Sequence, residues 1–167
     1  DELNYSEGMH FQLLSSFEGV SLERLAAELP TTQISNWHSA SEASGFATPG
    51  LANSQSLVVE NMNGAFELST TIFSPDNDGF DDVIQFHYSN LQSGCVGNLT
   101  LYNERGIRVR RLVRNEYLGP EGNIIWDGLS DNGEQLAIGI YIATFEAFNE
   151  DGIQVKYKRD FILARKL

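Results

Sequence analysis

The stretch NIIWDGLSDNGEQLAIGIYIATFEAFN, from Asn123 to Asn149, decides how this chain folds. It holds a short apolar run ending in Trp126, a polar loop, and a long alternating run over residues 138–148. In the second run Tyr141, Ala143, Phe145 and Ala147 point one way, and Ile140, Ile142, Thr144, Glu146 and Phe148 the other. A period of two marks a strand with at least one buried face. Between the runs stand Asp131, Asn132 and Gly133, residue types that close turns because they tolerate positive φ or bond their own backbone. Two neighbouring strands joined by a loop are the expectation.

The same grammar extends outward. Strands are expected at residues 66–73, 83–88, 98–102, 107–113 and 153–163, with turn signals spaced as a β-sandwich requires. NERG turns one hairpin, and NEDG, ending in Asp151-Gly152, turns another. Upstream the pattern thins. Val20, Leu22 and Leu25 suggest a strand leading into one helical turn that Pro30 stops. A long polar loop follows, with only Trp37, Phe46 and Leu51 to anchor it, and then a short strand at 57–59. The fold class is all-β.

Charge and motif content narrow the function. Acids outnumber bases 23 to 11, a formal charge of −12, which argues against non-specific binding to nucleic acid or an anionic membrane. No run approaches the roughly 20 apolar residues of a membrane helix, so direct membrane insertion is not expected. The single cysteine, Cys95, in the loop-like stretch SGCVG, excludes an internal disulfide. His10, His38 and His87 are scattered without HExxH spacing, and no GxSxG elbow, P-loop or GxGxxG occurs. The chain does not read as an enzyme. Trp126, Tyr88, Tyr102, Tyr117, Tyr141 and Tyr157 are spread over strands, as packing residues are.

Two clusters carry chemistry. SPDNDGFDD gathers Asp76, Asp78, Asp81 and Asp82. Calcium takes six to eight oxygens, which close carboxylates on a turn can help supply; the alternative is an Asx turn, in which those carboxylates cap backbone N–H groups. The second is KYKRDFILARKL, where Lys156, Lys158, Arg159, Arg165 and Lys166 face only Asp160. It is either the solvated face of an edge strand, where lysine blunts aggregation, or a partner-recognition tail.

Two resemblances rest on these residues. Gly19-Val20-Ser21-Leu22-Glu23-Arg24, then Trp37 and Thr48-Pro49-Gly50 leading to Asn53-Ser54-Gln55, resemble the closing section of a bacterial lamin-tail domain, an immunoglobulin-like sandwich. Only the second half of such a domain is present, so the chain is expected to be a piece of a longer protein. Ser74-Pro75-Asp76-Asn77-Asp78-Gly79-Phe80-Asp81-Asp82 opens the second. Leu101-Tyr102-Asn103-Glu104-Arg105-Gly106, Val109-Arg110-Arg111-Leu112, Trp126-Asp127-Gly128, Asp131-Asn132-Gly133 and Gly139-Ile140-Tyr141 follow in order. Together they resemble the immunoglobulin-like domain shared by the flagellar hook-capping protein FlgD and the C-terminal sorting domains of Bacteroidetes surface proteins. Where type A sorting domains open on P-N-P, this chain has Ser74-Pro75-Asp76.

The resemblances imply two immunoglobulin-like β-sandwiches in tandem, the first represented only by its C-terminal half: residues 1–55, a connector and first strand at 56–71, and a second domain at 72–167. They imply a non-enzymatic C-terminal region of a cell-surface or secreted protein. Its last domain would act as a type IX secretion and sorting signal, read by translocon or shuttle components at the outer membrane. Localisation would be extracellular or on the outer-membrane surface, after passage through the periplasm. The alternative is an adhesion or binding module, stiffened by calcium, that recognises glycan or a protein partner.

Overall fold

A computed structural model describes residues 3–56 and 65–165. The expected strand at 57–59, together with Lys166, lies outside the described residues. Tyr141, Ala143, Phe145 and Ala147 are buried as their alternation predicts, and the strand that carries them, β9 (Gly139–Phe148), sits at the centre of a five-stranded sheet. Counting strands in chain order, its neighbours are β4 (Ile72–Phe73), β6 (Cys95–Asn103), β7 (Arg108–Leu118) and β10 (Gln154–Leu163), in the order β4-β10-β9-β6-β7. All its pairings are antiparallel except β10 with β4.

A second sheet orders β3 (Phe66–Leu68), β5 (Ile84–Tyr88) and β8 (Gly122–Trp126) as β3-β5-β8. The two sheets enclose one core, in which Phe66, Phe73, Phe86, Trp126, Phe145 and Phe161 are each at most 1% exposed. Rings meet across the sheets: Trp126 packs edge-on against Phe161 with centroids 5.7 Å apart, and Phe66 stacks on Phe145 at 5.0 Å. Trp126 also donates its indole N–H to the Leu129 carbonyl at 2.9 Å, so its polar atom is satisfied inside the core. This is a β-sandwich of immunoglobulin-like type.

Five expectations change. The runs at 123–126 and 138–148 are not neighbours in one sheet: β8 pairs with β5 in the three-stranded sheet and β9 with β10 and β6 in the five-stranded one, so the loop between them crosses the sandwich. Residues 66–73 form two short strands, β3 and β4, one in each sheet; the Ser-Thr-Thr stretch at 69–71 lets the chain cross between them. Cys95 stands at the start of β6 and is buried in the core, so it belongs to a strand and not to a loop. The hairpin strands at 98–102 and 107–113 are longer than expected because β7 carries three one-residue bulges against β6, opposite Gly97/Asn98, Leu99/Thr100 and Leu101/Tyr102. Each extra residue blurs the alternation by which the sequence announces a strand. Finally, the turn expected before Pro30 is not helical.

Residues 3–56 form a small two-stranded sheet, β1 (Leu22–Arg24) with β2 (Trp37–Ser39), and 3-10 turns at Glu7–Met9, Ile34–Asn36 and Glu42–Ser44. Of the expected anchors Leu51 is 76% exposed, while Phe46 and Trp37 are half-buried and the Trp37 indole N–H donates to the Thr31 carbonyl at 2.9 Å. Polar side chains also hold the segment. Buried Asn36 accepts from the Ala26 N–H and donates to the Ala26 carbonyl, at 2.9 and 3.0 Å. Buried Glu23 accepts from the Thr48 hydroxyl and from the N–H and hydroxyl of Ser54. That bridge explains the spacing of the SLER, TPG and NSQ elements, since one carboxylate reaches the other two.

The segment packs on the outer face of the three-stranded sheet, where Leu25, Ala26 and Leu29 meet Val83 and Ile125. Every residue of β5 is consequently buried. Its outward Gln85 donates to Asn123 at 2.6 Å, and His87 shares the same oxygen at 2.9 Å. The core prediction is direct. Trp126→Ala removes the ring that meets Phe73, Tyr141 and Phe161 and should cost about 3–5 kcal/mol, read as a lower midpoint in urea denaturation; an unchanged midpoint would contradict this core.

Candidate functional site

The acidic turn between β4 and β5 is built around one carboxylate. Asp82 is 2% exposed. Its Oδ1 accepts from the backbone N–H groups of Asp76 (2.9 Å) and Asn77, and its Oδ2 from Gly79 N–H (2.7 Å) and the Gln55 amide (2.9 Å). An ionised carboxylate offers about four lone-pair directions, and these donors take them all. Asp76 and Asp78 cap as well, accepting from the N–H groups of Asp78 and Phe80. Asn77, at φ 61°, and Gly79, at φ 93°, supply the left-handed backbone that wraps the turn around Asp82.

Of the four expected calcium ligands, the structure brings together Asp76, Asp78 and Asp82, with one carboxylate oxygen of each within 4.8 Å of the others. Asp81 stands outside this group; it is exposed, and its carbonyl accepts from Ser74 N–H at 2.9 Å. The fit to calcium is poor on donor chemistry, because Asp82 could turn a lone pair to a cation only by giving up one of its N–H donors, the Gln55 side-chain amide or a backbone amide. The arrangement matches the capping alternative.

The turn is also where the two parts of the chain lock. The Asn77 amide donates to the Ala40 carbonyl at 3.2 Å and accepts from Gln55 at 3.1 Å, while its own carbonyl accepts from Glu42 N–H at 3.0 Å. The Ser41 hydroxyl donates to the Asp78 carbonyl at 3.1 Å. A Cβ on Gly79 would stand 2.9 Å from the Ser41 Oγ and 3.2 Å from the Ser54 carbonyl, so the approach itself selects glycine. Sequence reasoning missed Ser41, Asn77 and Gln55 as joint residues. The available signal was the NSQ exit, whose glutamine has no reason to be buried alone.

The basic residues are dispersed. Lys156 and Lys158 lie on the outer face of β10, and Lys156 pairs with Glu146 directly across on β9. That hydrogen-bonded carboxylate holds the Lys156 ammonium above the usual lysine pKa. Arg159 shares the inward-facing side with Phe161 yet is exposed, and donates to the Lys158 carbonyl at 2.9 Å. Arg165 lies nine residues from Lys156, roughly 30 Å along an extended chain, and donates to the Leu136 carbonyl at 2.7 Å. Lys156, Lys158 and Arg159 are therefore neighbours, and Arg165 is not among them.

The ladder leaves β10 partly open. Among the described residues β4 pairs only with Ile162 and Leu163. Ile162 N–H points to Thr71 on that side; since N–H directions alternate along a strand, Gln154, Lys156, Lys158 and Asp160 turn their N–H and C=O groups to the same, unpaired side.

The fold thus defines an immunoglobulin-like sandwich with a covered outer sheet face and an edge that is open among the described residues. No protein-family model matches the sequence, and no curated protein matches it. Distant structural similarity exists to CopC from Methylosinus trichosporium OB3b, 16% identical over 52% of this chain and 78% of that one, with a TM-score of 0.36. FlgD from Xanthomonas campestris, described with hook capping in flagellar assembly, is 21% identical over 48% of this chain and 57% of its own, at 0.39. PorZ, a surface component of the type IX secretion system of Porphyromonas gingivalis, is 14% identical over 81% of this chain and 14% of its own, at 0.39. The chain spans little more than half of that FlgD structure and a small part of PorZ.

Two outcomes follow from this geometry. Asp82→Ala strands its N–H donors in a buried turn and should lower stability by roughly 2–4 kcal/mol, while millimolar calcium should leave the wild-type melting temperature unchanged; a calcium-dependent rise would make the cluster an ion site. Burial, aided by His38 and opposed by Glu7, lowers the His10 pKa below the usual value. Below about pH 6.5 the unfolded chain therefore binds a proton that the folded one resists. Stability should fall as pH drops from about 7 to 5, and His10→Gln should flatten that slope in pH-stepped denaturation.

Proposed function

We propose that the sandwich is the secretion and sorting module of a cell-surface or secreted Bacteroidetes protein, read by outer-membrane translocon or shuttle components of a type IX system, and that it has no catalytic role. On this reading residues 1–55 are the end of a lamin-tail domain, the first of two immunoglobulin-like units in tandem. The destination is the outer-membrane surface or the medium, by way of the periplasm. The motif series from Ser74 to Tyr141 supports the assignment, and its spacing has a structural reason. Gly128 of the Trp-Asp-Gly element has φ 83°, and a Cβ there would stand 2.7 Å from the Pro75 ring of the Ser-Pro-Asp element.

The observation that carries the mechanism is the side of β10 between Gln154 and Asp160 that no strand among the described residues pairs. A partner strand can add there through main-chain hydrogen bonds, with Lys156, Lys158 and Arg159 beside it to set its orientation. The inward-facing charge of Arg159 and the two lysines also protect the edge from indiscriminate pairing.

Deleting residues 156–167 is a poor test, because Phe161 and Leu163 belong to the core. Lys158→Pro is cleaner: it removes an N–H on the open side and none of those pairing with β9. Fused to a periplasm-targeted fluorescent protein in a type IX-competent bacterium, the wild-type chain should reach the surface or medium. The proline variant should accumulate, folded, in the periplasm. Equal export of both would sink the edge mechanism, and no export of either would sink the sorting role.

A further inference from the structure

The three bulges in β7 have an effect on its side chains. Arg108, Arg111, Arg114 and Tyr117 recur every third residue, a spacing that in a regular strand sends successive side chains to opposite faces. Here the bulges absorb one residue per step. The four stand opposite Tyr102, Thr100, Asn98 and Val96, alternate residues of β6. Alternate residues share a face, so all four belong to the outer face of the five-stranded sheet, in rungs about 7 Å apart. The intervening Val109, Leu112 and Val113 turn to the core.

The rest of this face follows from register. Its cross-strand rows read Asp160–Ile142–Tyr102–Arg108, Lys158–Thr144–Thr100–Arg111, Lys156–Glu146–Asn98–Arg114 and Gln154–Phe148–Val96–Tyr117. Five of the chain's 11 lysines and arginines lie here against Glu146 and Asp160, although the chain as a whole carries −12. Glu146 is engaged by Lys156. Arg108 has a distant pairing with Asp131 at 3.9 Å. Among the described residues, no carboxylate lies within ion-pair distance of Arg111 or Arg114. The last row differs: Tyr117 is 82% exposed and Phe148 41% exposed, with Val96 between them.

We propose that this face docks an extended acidic segment of a partner protein, with carboxylates at three alternate positions and an aromatic or apolar residue at the next alternate position. Alternate side chains of an extended peptide are also about 7 Å apart, which matches the arginine rungs. Each guanidinium offers a planar fork suited to a carboxylate. The Tyr117–Val96–Phe148 row gives an apolar terminus that a uniform polyanion cannot use, and so favours a protein over nucleic acid or an acidic polysaccharide. The face is distinct from the open side of β10, and the inference does not depend on export.

The test uses the full 167-residue chain and fluorescein-labelled peptides. One is Glu-Thr-Glu-Thr-Glu-Thr-Phe-Thr, together with its reversed order; a second has the same composition with the three glutamates contiguous. Anisotropy should show the alternating peptide, in one order, binding more tightly than the contiguous one. Arg111→Gln or Arg114→Gln should each weaken it roughly two- to fivefold, and the triple variant with Arg108→Gln roughly 10- to 100-fold. Arg105→Gln, in the neighbouring turn, should change nothing. Tyr117→Ser should weaken the phenylalanine peptide and leave unaffected a version with threonine in its place. Near-UV circular dichroism checks that each variant is folded. No binding at about 1 mM peptide, equal binding of the alternating and contiguous peptides, or tighter binding of heparin or single-stranded DNA would each overturn the proposal.

Discussion

Much of this structure depends on a buried negative charge being fully met by N–H donors. A carboxylate at the 2% exposure of Asp82 carries a large desolvation cost unless hydrogen bonds replace water. Three backbone amides and one side-chain amide do so, and in satisfying it they fix the path of the turn. The fourth donor, Gln55, comes from the other part of the chain, so the interaction that shapes the turn also holds residues 3–56 against the sandwich. The aspartates that look from sequence like ligands awaiting an ion are organised by the protein's own amides.

The same economy recurs upstream. Residues 3–56 bury few of their large apolar side chains, Met9, Phe11, Leu25 and Leu29 among them, and Glu23 and Asn36 add buried polar bridges to that contact. Glu23 joins stretches far apart in sequence, and Asn36 closes the loop that runs from Ala26 to it. Such networks specify one arrangement well because a partial rearrangement leaves buried polar atoms unmet. Among the described residues the apolar contact with the sandwich centres on a cluster of five buried residues, and the polar contacts around Asn77 complete it.

Legibility in the sequence followed the regularity of each strand. β8 and β9 were readable because neither is interrupted by a bulge and each is framed by turn-forming residues, so the period of two runs unbroken along β9. β5 was read as an alternating strand, but nothing in VIQFHY says that Gln85 and His87 are buried; Val83, just before the strand, and Ile125 beside Gln85 are covered by Leu25 and Leu29, more than fifty residues before the strand. β7 was read short because its bulges break the period of two. The acidic cluster was visible as a composition, but a string of letters does not distinguish carboxylates facing an ion from carboxylates facing amides. Asp81 illustrates this, since its backbone φ of 53° turns it away from its neighbours. The basic tail was legible as charge and not as geometry: β10 divides it between two faces and ties Arg165 to the Leu136 carbonyl.

The crossing of the chain between sheets at residues 69–71 has a mechanical meaning. β4 enters the five-stranded sheet parallel to β10, with Ile72 beside Ile162 and Phe73 beside Leu163. Tension drawn through the chain before β4 and after β10 would act along these two strands in opposite senses. It would load their hydrogen bonds in shear, together, instead of opening them one at a time like a zipper. Forced unfolding is governed by a rate and not by equilibrium stability, so a two-residue parallel clasp can matter far more to a tethered protein under drag than its area suggests.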